Sequence, residues 1–151
     1  PADFLSDVIY DADMADVASV QVHIDGETDL NMELDSENKQ YTVNDIDVAA
    51  LGTDAVDALT TLYDNLTGLT TSTLDLTDNV PMEEEPEITL TYNLKDGTTE
   101  VITFLAKDKE SYYVLRNGEY SGFLAKRTAF TSRNGILEFY HRLEKTIGMT
   151  E

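Results

Sequence analysis

The stretch from Ile88 to Leu105 constrains this chain most. Apolar residues at 88, 90, 92 and 94 alternate with polar ones, so one face of a strand meets a core. Lys95-Asp96-Gly97 then reverses the chain, and Thr98 to Leu105 returns. Two registers are open. A two-residue turn at Asp96-Gly97 sets Leu90 opposite Thr103; a three-residue loop, Lys95 to Gly97, sets Leu90 opposite Ile102 and Ile88 opposite Phe104. The second gathers the apolar pairs on one face, and the matching of faces selects it.

The same logic extends along the chain. Val20, Val22 and Ile24 alternate before Asp25-Gly26, and Leu30, Met32 and Leu34 alternate after it, which pairs Val22 with Leu30 and Val20 with Met32. Tyr41 to Val48 forms a short hairpin turning at Asn44-Asp45, since both residues tolerate the left-handed region. Thr53 is the expected N-cap of a helix buried along Val56, Leu59, Tyr63 and Leu66, with Leu62 beside this stripe and Gly68 as its stop. Tyr112 to Leu124 turns at Asn117-Gly118, a strong hairpin signal. Ser132 is the expected N-cap of a closing helix with Ile136, Phe139, Tyr140, Leu143 and Ile147 inward, ended by Gly148.

These elements define an α+β protein: antiparallel hairpins forming one or more sheets, covered by two main helices. Residues 1–16 form a leading arm or short helix, and 17–151 one α+β domain. Gly26 and Gly97 are 71 residues apart, Asn44 and Asn117 are 73 apart, and each half reads as two hairpins and a helix. A duplicated ββββα unit, with sub-repeats 17–68 and 86–148, and convergence on a common pattern both fit. An acidic, Thr/Asp-rich connector over 69–85 would join them, with Leu74 and Leu76 touching the core.

Charge is distributed unevenly. Residues 1–85 hold 21 Asp and Glu against a single Lys39, so the whole net charge of −20 resides there. Residues 126–151 carry a net charge of +2. The acidic half repels phosphate backbones, so nucleic acid is not an expected partner. With no cysteine, disulfides and thiolate chemistry are excluded. No apolar run reaches the roughly 20 residues of a membrane span, so direct insertion by this segment is not expected. Beginning at Pro1 rather than Met, the chain reads as a piece whose anchor or leader lies outside it.

No catalytic constellation stands out, and no enzyme activity is expected. His23 falls on the strand face opposite Val22 and Ile24, and His141 lies off the apolar stripe of its helix; both read as solvated. Asp11 to Asp16 resembles a calcium loop but lacks glycine at its sixth position and has Val22 at its twelfth. Glu83 to Glu85 reads as a solvated loop, so neither metal ligands nor a cofactor site is expected. Asn65-Leu66-Thr67 matches a glycosylation pattern but falls at a helix end. The better lead is aromatic: Tyr112, Tyr113 and Tyr120 flank the Asn117-Gly118 turn, one set facing the core and the other free for a partner or glycan. That turn places Tyr113 and Tyr120 with Leu115 and pairs Tyr112 with Phe123.

The order "VASVQVHIDGE", "YTVNDIDV", a Leu-rich helix, "PEITLTYNLKDGTTEVITF", "YYVLRNGEYSGFLAKR" and a closing helix resembles the DUF4340 family, in particular the carboxyl-terminal repeat of its longer bacterial members. The resemblance spans Val17 to Ile147. It implies a non-catalytic extracytoplasmic binding or scaffolding domain of a membrane-anchored bacterial protein, placed outside the cytoplasm or at the cell surface. Membrane-complex subunits of an ABC transporter, or an unknown surface ligand, would be its partners; no catalytic residues come with the family. The alternative from another class is a solute-binding or hydrolytic domain using surface carboxylates.

Overall fold

The computed structural model describes residues 13–148, except 28, 36, 70, 72, 75–79, 82, 133 and 134. Residues 1–12 of the leading arm, Leu76 and the side chain of Leu74 therefore lie outside the described part. Met14–Asp16 form a single 3-10 turn whose start is capped by the Asp13 carboxylate, accepting from the Ala15 amide at 3.1 Å.

Nine described strands make one antiparallel sheet: β1 (Val17–Ile24), β2 (Leu30–Asp35), β3 (Gln40–Val43), β4 (Ile46–Asp47), β5 (Thr73–Leu74), β6 (Ile88–Leu94), β7 (Thr99–Ala106), β8 (Ser111–Arg116) and β9 (Glu119–Lys126). Their order is β4-β3-β2-β1-β6-β7-β8-β9-β5. Each half is a four-stranded meander, and the two meet where β1 pairs with β6, Val22 opposite Leu90 and Ile24 opposite Ile88. Asp25 N–H to Glu87 C=O (2.8 Å) and Lys95 N–H to Asp16 C=O (2.9 Å) lengthen that seam at both ends. The strand order is thus symmetric about the seam, apart from the short β5 at one edge.

Both hairpin registers selected by apolar matching are present. Leu90 faces Ile102 and Ile88 faces Phe104; Val22 faces Leu30 and Val20 faces Met32. The two asparagine turns share a geometry at residue level. Asn44 and Asn117 both have positive φ, at 50° and 52°. The Asn44 side-chain oxygen accepts from the Asn31 amide at 2.7 Å, and that of Asn117 accepts from the Val101 amide at 2.8 Å. Their own amides donate back, to Asn31 C=O at 3.0 Å and Val101 C=O at 2.7 Å. One side chain therefore turns the chain and continues the ladder to the neighbouring strand.

Helices α1 (Thr53–Thr67) and α3 (Ile136–Thr146) pack against each other over one face of the sheet. Leu59, Leu62, Tyr63 and Leu66 of α1 and Ile136, Tyr140 and Leu143 of α3 are buried. Each such aliphatic side chain contributes about 1.5–3 kcal/mol. Val56 and Phe139 pack against the rim of this core, half-buried. Tyr63 meets Tyr92 of the central strand edge-on at 6.5 Å.

The caps differ from expectation. Thr53 is the first helical residue, and its cap is Gly52 at φ 111°, which makes no side-chain cap bond. Ser132 closes a one-turn helix, α2 (Thr128–Thr131), and α3 starts after Gly135. The reason is packing at Phe130. It packs edge-on against both Phe104 (5.2 Å) and Tyr112 (5.9 Å), which holds this segment on the sheet before the final helix can begin.

Candidate functional site

Both histidines of the chain converge on one loop, residues 25–29 between β1 and β2. The alternation of β1 puts His23 on the face opposite the core, half-exposed. Its Nδ1 lies 2.6 Å from an Asp29 carboxylate oxygen and its Nε2 3.3 Å from one of Asp25. The Asp29 hydrogen bond, aided by both charges, raises the His23 pKa above its ordinary value. Beside it is a polar groove of about 340 Å³ on the open face of the sheet, lined among others by Gln21, His23, Asp29, Asn31, Asn44 and Thr91.

Helix α3 approaches the same loop with His141 and Glu144, three residues apart and so on one face. His141 Nε2 lies 2.6 Å from a Glu27 carboxylate oxygen. Glu144 is only 4% exposed, and no hydrogen bond or ion pair to its carboxylate is found among the described residues. One ligand atom each from Glu27, His141 and Glu144 lies within 4.8 Å of the other two. Burial raises the Glu144 pKa, opposed by His141 and assisted by the Glu27 charge. Tyr140, fully buried beside them, is also raised, by burial and then by the Glu144, Asp29 and Glu27 carboxylates, so its phenol keeps its proton.

The convergence of these three side chains is not legible in the sequence for a physical reason. The His141/Glu144 spacing is visible on a helix, but Glu27 lies 114 residues before His141 and reaches it only through the fold. Both histidines are half-exposed, in keeping with their expected positions, yet each is held by carboxylates.

The three tyrosines divide. Tyr112 is buried at 5% exposure, edge-on to Phe104 at 5.9 Å and under the Arg127 guanidinium at 4.4 Å, so it belongs to the core and not to a partner surface. Arg127 is held in turn by Glu87 at 3.1 Å and the Asp108 carbonyl at 2.6 Å. Tyr112 pairs with Ala125 rather than Phe123. The cause is an irregularity in β9: two extra residues enter between Tyr120 and Leu124, Gly122 takes φ 88°, and the Ser121 hydroxyl donates to Val114 C=O at 2.7 Å. Tyr113 and Tyr120 remain on the opposite face, half-buried and edge-on to each other at 5.6 Å. Leu105, Leu115 and Leu124 share that face as a buried group separate from the main core.

Among the described residues, neither histidine is hydrogen-bonded to a serine or threonine hydroxyl; both face carboxylates. No described helix is long and apolar enough to cross a membrane. Compared with known proteins, the chain matches no family model, no curated protein and no solved structure.

Proposed function

We propose that this chain is a non-catalytic binding or scaffolding module that works outside the cytoplasm of a bacterium, attached to a membrane complex of the kind its DUF4340-like pattern suggests. The observation that supports this reading is the face of β7–β9 away from the helices. There Tyr113 and Tyr120 stand half-buried and edge-on to each other, beside the buried Leu105, Leu115 and Leu124 on neighbouring positions, an aromatic pair suited to a protein partner. Transporter subunits are the proposed partners.

The test is co-purification of the full-length protein with transporter subunits encoded beside its gene. A Tyr113→Ser/Tyr120→Ser variant should lose the complex while its circular dichroism spectrum remains that of the folded protein. A complex indifferent to this pair would remove the surface from the reading, and a measured hydrolytic turnover would replace the reading altogether.

A second reading rests on the groove beside His23. Its hydroxyl, amide and carboxylate lining suits a small polar solute, in line with the solute-binding alternative. Asn31→Leu would block that groove from an exposed position and should abolish solute binding without disturbing the tyrosine surface.

A further inference from the structure

We propose that Glu27, His141 and Glu144 form a binding site for a first-row divalent cation, zinc by preference, which staples the β1–β2 loop to helix α3. Three observations converge on it. The donor atoms already lie within 4.8 Å of one another, and bonds of about 2.0–2.2 Å to a common ion need only a small closing movement. Glu144 as a residue is only 4% exposed, its carboxylate lies with the other two donors, and no hydrogen bond or ion pair to it is found among the described residues. Leaving such a group unpaired is costly, and a cation is the partner that the geometry offers.

The donor set selects the ion. One imidazole nitrogen with two carboxylate oxygens suits zinc, with water completing a tetrahedron. Calcium takes six to eight oxygens, which three side chains with an imidazole among them do not supply. The ion takes the place of the hydrogen between His141 Nε2 and Glu27, and a neutral His141 then carries its one proton on Nδ1. Because Glu27 belongs to the acidic half and His141 and Glu144 to the closing helix, the ion bridges the two halves away from the β1–β6 seam. The site is separate from the tyrosine surface and does not depend on what that surface binds.

The experiment is calorimetric titration of chelator-treated protein with zinc, with calcium and magnesium at matched ionic strength as comparisons. One zinc per chain should bind saturably, and the thermal midpoint should rise with zinc alone. Histidine side-chain NMR should show the His141 ring perturbed and the His23 ring unchanged. His141→Ala, at an exposed position, and Glu144→Gln, which keeps the shape of the buried side chain, should each weaken binding by at least about tenfold. His23→Ala should bind zinc as the parent does. The proposal is overturned if no saturable zinc binding occurs, if His141→Ala binds as tightly as the parent, if calcium gives the same shift, or if His23→Ala is the variant that loses the ion.

Discussion

The two meanders, β1–β4 and β6–β9, solve the same folding problem with different chemistry. Each turns its second hairpin on an asparagine of positive φ whose side chain continues the ladder to the strand before. Each sends its helical cover to the same face of the sheet, where one core serves both. Their open faces diverge. The first shows Gln21, His23, Asn31 and Glu33 to solvent; the second carries Tyr113, Tyr120 and a buried leucine group. Charge diverges with them, since residues 1–85 hold the entire net charge of −20. The difference shows that the inward alternation sets the architecture, whereas the outward positions are free to carry different chemistry, polar and charged on one half and aromatic on the other.

The largest expected effect concerns the shared core. Leu143 of α3 and Leu59 of α1 are both fully buried, so replacing either with alanine should cost about 2–5 kcal/mol in urea melts. Because one core joins the halves, each variant should still unfold in a single transition. Two separated transitions would break the comparison by showing that the halves fold independently.

The asparagine turns come next. Glycine tolerates the left-handed backbone, so Asn44→Gly and Asn117→Gly isolate the side-chain hydrogen bonds and should each cost about 1 kcal/mol in the same melts. A large loss at one turn with none at the other would reduce the likeness to geometry without common energetics.

Salt should separate the halves by charge, with an effect under about 1 kcal/mol. Sodium chloride screens the acidic half without needing a site, and calcium chloride at equal ionic strength should do no better. Hydrogen exchange should show the added protection mainly in β1–β4. A calcium-specific, chelator-reversible gain would assign the acidic half a calcium site.

The smallest effects are those of pH, and their signs are opposite in the two halves. The folded pKa of His23 is raised, so its contribution is fully present below its ordinary 6.5 and is lost as pH rises through the folded value. His23→Gln should therefore match the parent at high pH and be less stable in mild acid. Glu100 accepts from Arg116 at 2.8 Å and from Asn117 at 3.0 Å, which lowers its pKa below the usual 4.5. Its contribution is present above 4.5 and is lost as pH falls through the lowered value. Glu100→Gln should be less stable than the parent near neutrality and converge with it only in acid. Parallel melts from strong acid to pH 8 would check both, and a reversed sign in either would show that its ion pair does not form in solution.

By itself the sequence determined what depends on neighbours a few residues apart. Alternation specified which faces of the hairpins are buried, and apolar matching specified the Leu90–Ile102 and Val22–Leu30 registers. Helical spacing specified the Tyr140–Leu143 stripe, because a period of two or 3.6 residues is a local property of backbone geometry. The tertiary structure alone decided the rest. Alternation permits β1 to pair with any antiparallel partner, so its choice of β6 rests on how both helices share one face. The β9 irregularity that gives Tyr112 Ala125 rather than Phe123 as its partner depends on Ser121 finding Val114 on β8, and the delayed start of α3 depends on Phe130 finding Phe104 and Tyr112. Glu27 meets His141 for the same reason: a side chain's partners at long range are set by how whole elements pack, which no short spacing records.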